Sequence, residues 1–296
     1  MGIKTPGSLG GLQYLLEQTY GTTPTGVGFG YFGFMNSMQE TGNGNEEELI
    51  ADGSRIFDSV IHRMRSAGFD ATVNLFRDQG TWTWKDILGF AYSPTQDPPS
   101  FSALMKIDYN EYVMFTGCKM DKLVLSAESV GSKVLAKASV KALEHLTHQT
   151  SKAGYGASLG NENPGPSPKT PVIYDAYPQM TVGGTTSQIW ARSFSISISN
   201  ALEEKEGIVS NKALAAGNGL LPGMCNVELE YSLLSKNADW DNRKLAGTDG
   251  ITIVQVIGGH TLTFSNCYIV TDDHPSRSQS SYDETVRFKA GSMTVV

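Results

Sequence analysis

The chain has 296 residues, with 23 basic side chains against 30 acidic ones, a formal charge of −7 and a pI near 5.3. Its 40% hydrophobic content excludes a disordered chain, and no run of about 18 apolar residues exists to span a membrane. The acidic balance excludes a protein whose main task is to grip nucleic acid phosphates.

The three cysteines, Cys118, Cys225 and Cys267, are too few and too scattered for a disulfide scaffold. Met1–Pro6 lead into no apolar stretch, so no secretory leader is expected, and a reduced, intracellular chain fits.

The first elements are glycine-rich. Gly26 to Met35 alternates glycine with bulky residues and reads as a strand or extended arm, and Thr41–Asn45 reads as a turn. Residues 54–66 carry Ile56, Val60, Ile61 and Met64, a spacing that predicts a short helix. Ala71–Asp78 reads as a strand. Trp84, Ile87, Leu88 and Ala91 follow the i, i+3, i+4, i+7 pattern of a short amphipathic helix, closed by Pro94 and Pro98-Pro99.

The β signal then strengthens. Short runs at Tyr112–Phe115 and Lys122–Glu128 flank Gly117-Cys118. The turn Ser129–Ser132 leads to Lys133–Leu143, where Val134, Ala136, Ala138, Val140 and Ala142 share one face. Residues 147–171, rich in Gly and Pro, read as a long loop. Ser193–Ser199 is the purest alternation in the chain: Phe194, Ile196 and Ile198 on one face, Ser193, Ser195, Ser197 and Ser199 on the other, as only a strand arranges them. Val227, Leu229 and Tyr231 alternate with Glu228 and Glu230 in the same way. Strands are also expected at 250–257, 261–270 and 286–295. The chain is mainly β with two short helices.

Motif searches yield no catalytic set. Gly28–Gly33 matches GxGxxG, but no helix opens on it, as a dinucleotide site requires. Gly156–Gly160 matches GxSxG around Ser158, without the flanking strand and helix of a nucleophile elbow. Glu144-His145-Leu146-Thr147-His148 lacks further metal ligands in sequence and reads as a polar strand end. No catalytic, cofactor-binding or metal-ligating residues are therefore expected, and no cofactor.

The order of segments is nevertheless distinctive. Phe115–Glu128, with Gly117-Cys118-Lys119 ahead of an alternating strand, resembles a segment recurrent in the tail tube proteins of tailed bacteriophages. Glu17-Gln18-Thr19-Tyr20-Gly21-Thr22 resembles their near-N-terminal E-x-x-[YF]-G-T. Gly80–Tyr92 resembles their short helix, Ser193–Glu203 their serine-rich strand and its exit, Gly223–Tyr231 the strand after it, and Glu284–Val296 their closing strand.

The resemblance implies a β-sandwich tail-tube fold with a short flanking helix, inner-barrel hairpins and extended arms. It implies a single domain with an N-terminal arm (about 1–53) and a long internal loop (about 147–171). It further implies a non-enzymatic virion protein, assembled in the host cytoplasm, that polymerises with itself as stacked hexameric rings. The tube is a conduit for genome ejection, with transient, non-specific passage of DNA. Partners would be the tape measure protein, the baseplate or tail tip, the tail terminator and, in contractile tails, a sheath, with no membrane anchor.

On this reading Ser193, Ser195, Ser197, Ser199, Glu228 and Glu230 are candidate lumen-facing residues, giving a serine-rich and partly acidic wall. Lys122, Lys133, Lys137 and Lys141 depart from a uniformly acidic one. Phe194, Ile196, Ile198, Val227, Leu229 and Tyr231 are candidate sandwich core. The long loops 36–53 and 147–171 would reach neighbouring subunits. The alternatives are a ring protein of a contractile injection or type VI secretion system, whose subunits are usually shorter, and a monomeric β-sandwich hydrolase or binding module.

Overall fold

The structure is a computed structural model that describes residues 11–41, 44–50, 57–65, 67–79, 83–94, 97–108, 111–162, 165, 167–204, 220–234, 250–273 and 284–296. In chain order it contains β1 (Leu12–Leu16), β2 (Gly30–Glu40), β3 (Gly44–Ile50), β4 (Phe57–Arg65), β5 (Ala67–Asn74), α1 (Asp86–Ala91), β6 (Phe101–Asp108), β7 (Glu111–Ala127), β8 (Leu135–Ala142) and β9 (Glu144–Gln149). A single 3-10 turn at Lys152–Tyr155 follows. Then come β10 (Gln179–Val182), β11 (Thr185–Gln188), β12 (Ala191–Ser199), β13 (Glu203–Glu204), β14 (Leu220–Leu221), β15 (Asn226–Leu233), β16 (Ile251–Ile257), β17 (His260–Asp273), β18 (Glu284–Ala290) and β19 (Ser292–Val295). The protein is mainly β.

Fifteen strands join one continuous antiparallel network. It folds into layers because three long strands change neighbours midway. The first half of β2 pairs with β1 and the second with β5. The first half of β7 pairs with β6 and β9, the second with β8 and β12. The first half of β17 pairs with β16 and β19, the second with β18. The result is a broad principal sheet, β2–β5–β8–β7–β12–β15–β18–β17. Its apolar face shares one core with the sheets β2–β1–β6–β7–β9 and β11–β10–β16–β17–β19.

The bend in β7 falls at Gly117, whose φ of 61° is left-handed. A Cβ there would stand 2.5 Å from the Leu143 Cβ, so the turn needs glycine on both counts. Tyr112–Phe115 and Lys122–Glu128, expected as separate strands, are thus two arms of one bent strand. In β17 the change falls at Asn266, which also takes positive φ (53°).

Helix α1 is shorter than the sequence pattern implied, but its apolar stripe is buried: Trp84, Ile87, Leu88 and Ala91 are at most 3% exposed. Phe90 packs against Tyr14 and Phe101, with ring centroids 4.7 Å apart in each pair. Burying a side chain of this size contributes about 1.5–3 kcal/mol, which keeps so short a helix in place.

Two expectations are corrected. Residues 57–65 form strand β4, paired antiparallel with β3 as a separate hairpin, rather than a helix. Val60, Ile61 and Met64 suit both periods, and the pairing partner decides. The 147–171 segment is not loop throughout. It begins as the end of β9, and Leu159 and Tyr155 then pack with Leu15, Phe29, Leu104 and Met114 in a second core on the outer side of the β6–β7 pair. Backbone bonds Gly26 N to Ser158 O (2.7 Å) and Phe29 N to Asn161 O (3.1 Å) fasten it to the chain entering β2. Strands β1, β3, β9, β10, β11, β13 and β14 are additions that the sequence pattern did not reveal, with β3 and the end of β2 falling inside the expected 36–53 loop.

Candidate functional site

The principal sheet has one apolar and one polar face because its strands alternate. On the core side Phe194, Ile196, Ile198, Val227, Leu229 and Tyr231 are buried, at most 3% exposed. On the other side Ser193, Ser195, Ser197, Ser199 and Glu230 are half-buried and Glu228 is exposed. The register assembles these residues into rows. One runs Arg287–Glu230–Ser195–Ser126–Leu135 across β18, β15, β12, β7 and β8. The next runs Lys289–Glu228–Ser197–Val124–Lys137–Thr72, reaching β5. A third runs Asn226–Ser199–Lys122–Ser139–Asp70.

This face is of mixed charge. Glu230 accepts a hydrogen bond from Arg287 Nε at 2.6 Å, and Glu228 lies opposite Lys289. Lys122 and Lys137 are exposed on the same side. Opposite charges directly across a ladder stabilise the pairing, so acidic residues on one strand recruit basic ones on the next. The Glu230–Arg287 pair is half-exposed and contributes about 0–1 kcal/mol. Its larger effect is to cancel charge. A shallow groove of about 270 Å³ crosses this face, lined by Ser195, Ser197, Glu228, Glu230, Val270 and Arg287. Arg287 and Lys289 escaped the sequence reading. Their alternation with Val286 and Phe288 marks a strand, but only the fold sets β18 beside β15.

Three of the segments singled out in the sequence converge at the bend of β7. The buried Glu17 carboxylate accepts hydrogen bonds from Ser102 Oγ (2.7 Å), Gly117 N (2.9 Å) and Gly21 N (2.9 Å). It thereby joins Glu17–Thr22 to Gly117-Cys118-Lys119. Lys119, only 5% exposed, donates to Asp97 at 2.6 and 2.8 Å and to the Leu220 carbonyl at 3.0 Å, and its Nζ sits 4.9 Å from the Tyr20 ring centre. Asn200, at the exit of the serine-rich strand, is 2% exposed and donates to the carbonyls of Ala91 (2.9 Å) and Met120 (2.8 Å). Leu202 N donates to Asp121 Oδ1 at 2.7 Å. One polar knot therefore ties α1, β7 and β12 together and holds the orientation of the principal sheet. Burial pushes the Cys118 thiol well above its ordinary value, with the Glu17 carboxylate adding to the shift.

The remaining motif residues lie elsewhere. Ser158 is exposed in a turn after the 3-10 segment. Gly30 and Gly33 belong to strand β2. His145 and His148 sit on β9, at the edge of the network. Cys225 is half-buried and Cys267 fully buried.

Two further surfaces are apolar and open. A groove of about 500 Å³ beside α1 is lined by Tyr14, Leu16, Leu88, Phe90, Met293 and Val295, with Leu16 55% exposed. Tyr268 and Val270 are exposed on β17, the outermost strand of the principal sheet. Among the described residues no helix is long and apolar enough to cross a membrane.

A mainly antiparallel β protein with one broad, charge-balanced polar face and open apolar edges has the surfaces of a structural subunit. The family model of phage tail tube proteins matches residues 7–290, nearly the whole chain, and the chain belongs to that family. No curated protein matches it. Membership makes it a structural component of the virion tail, one that assembles with itself and other tail components into a tube.

Proposed function

We propose that the chain polymerises as stacked hexameric rings whose lumen is lined by the polar face of the principal sheet, forming the conduit through which the genome is ejected. The observation that carries this reading is the adjacency β8–β7–β12–β15. Two antiparallel pairs lie side by side with one continuous polar face. Four such strands from each of six subunits close a barrel of roughly 24 strands, wide enough for an open channel and free of lateral edges. Ser193, Ser195, Ser197, Ser199, Glu228 and Glu230 face that lumen together with Lys122 and Lys137.

A wall of serines in which Lys122 and Lys137 offset Glu228 and Glu230 offers no strong cationic track, so DNA slides without release of a large counterion population. The apolar groove beside α1 and the exposed Tyr268 and Val270 support contacts between subunits, since a monomer gains nothing by leaving such patches in water. Among the described residues the β3–β4 hairpin pairs with no other strand, and a lone hairpin is marginally stable in water. It serves as the arm that reaches a neighbouring subunit, while the rest of the chain forms a single tail-tube domain. The tape measure protein, the tail tip or baseplate and the tail terminator are its further partners.

Negative-stain electron microscopy of the purified chain tests the reading. The expected result is rings or tubes, formed spontaneously or on addition of a tail initiator. Particles that stay monomeric at high concentration, with no tubes even on an initiator complex, overturn it.

A further inference from the structure

In a regular strand, residues three apart point to opposite faces. His145 and His148 do not. In β9, His145 pairs with Phe115, Leu146 with Met114 and Gln149 with Tyr112, so Thr147 and His148 together oppose the single residue Val113. This bulge adds one residue to the strand and re-aims His148 onto the side of His145. Their ring centres lie 5.7 Å apart. The His145 ring is held by stacking on Phe115, at 4.7 Å and 14°.

Glu40, at the end of β2, completes the group. One ligand atom from each of Glu40, His145 and His148 lies within 4.8 Å of the other two. Glu40 Oε1 stands 3.3 Å from His148 Nε2. A tetrahedral ion with bonds of about 2.0–2.1 Å has ligand–ligand edges of about 3.3–3.4 Å, so this pair already has the separation of two ligands. The other ring nitrogen of His148, Nδ1, is 2.6 Å from Glu111 Oε1 on β7. A carboxylate in that position accepts a hydrogen bond from Nδ1–H, which fixes the tautomer and leaves the Nε2 lone pair free to ligate, the arrangement that orients histidines around zinc.

We propose that Glu40, His145 and His148 form a binding site for a divalent cation of the Zn²⁺ class, with Glu111 as the residue that positions His148. Two imidazoles and a carboxylate suit zinc and its neighbours rather than magnesium or calcium, and water fills the remaining position. The ion cross-links the end of β2 to β9, with Glu111 holding the start of β7 to His148, at the root of the β3–β4 hairpin, which begins at Gly44.

The test uses full-length protein without a histidine tag. Isothermal titration with Zn²⁺ is expected to show one ion per chain, and Co²⁺ is expected to give the visible absorption of a tetrahedral site. Zn²⁺ also raises the melting temperature in a concentration-dependent way, because it binds the folded state. His148→Gln and His145→Gln each abolish binding while leaving the circular dichroism spectrum unchanged. Glu111→Gln keeps the stoichiometry and the Co²⁺ spectrum but weakens affinity by about 10–100-fold. Absence of stoichiometric binding in the wild type, or binding unchanged in His148→Gln, overturns the site. Unchanged affinity in Glu111→Gln overturns the positioning role.

Discussion

Glu17→Ala tests whether the knot at the bend of β7 holds the principal sheet in its observed orientation. The carboxylate accepts from Ser102 Oγ, Gly117 N and Gly21 N, and the first two of these bonds are buried. The Ser102 hydroxyl has a second neighbour, Thr23 Oγ1 at 3.0 Å, and can turn to it. The two backbone amides cannot turn. A hydrogen bond to a charged group contributes about 1.5–3 kcal/mol, and a buried donor left alone costs about 1–3 kcal/mol. Glu17→Ala should therefore destabilise by about 3–5 kcal/mol. Glu17→Gln keeps one accepting oxygen but sets an NH₂ against one amide, and should lose about 1.5–3 kcal/mol.

The assay is urea unfolding of the unassembled protein at a concentration below polymerisation, since assembly itself adds stability. The midpoint should fall with the slope unchanged. In a thermal scan a chain of this size loses about 2 °C per kcal/mol, so the alanine variant should melt roughly 6–10 °C lower. A loss below about 1 kcal/mol for Glu17→Ala, or equal losses for the two variants, refutes the assignment of Glu17 as the acceptor that fixes the corner.

Other outcomes follow from the same structure. Removing the partner of buried Lys119 by Asp97→Ala should cost more than replacing the lysine itself by Lys119→Met, because an uncompensated buried charge is worse than an apolar side chain; urea midpoints that rank the other way contradict this. Burial pushes the phenols of Tyr31 and Tyr155 up to about 12 from 10.0 and the Cys267 thiol up to about 12 from 9.0. The unfolded chain loses these protons first, so stability is full below pH 9 and falls as pH rises towards about 12, and an urea midpoint that stays constant over that range refutes the linkage. Thiol titration of the native protein should modify the half-buried Cys225 slowly and leave Cys118 and Cys267 untouched until the chain unfolds; fast native labelling of either buried thiol, read by peptide mass, would contradict their placement. Reversing Glu228 and Glu230 to lysine sets like charges against Lys289 and Arg287 and adds cations to the polar face. If that face lines the channel, DNA ejection should slow more than tube assembly, and unaffected ejection would exclude it from the lumen.

Alternation alone placed the serines of 193–199 opposite Phe194, Ile196 and Ile198, because a strand's side chains repeat every two residues. The stripe Trp84, Ile87, Leu88 and Ala91 likewise marked α1, and the ordered motifs from Glu17 to Val296 pointed to the tail tube family. These are local or sequential properties, and a sequence carries them directly. Which strands become neighbours is not local. Glu230 meets Arg287, Glu17 meets Gly117, and two residues of β9 oppose Val113 only because distant segments pair in one register. Pairing also turned residues 57–65 from an expected helix into a strand, and a second apolar core drew 147–162 back onto its own chain. The mixed charge of the polar face, the knot at Gly117 and the histidine cluster all belong to that second category. Each depends on groups separated by tens or hundreds of residues, whose approach is set by the packing of whole sheets.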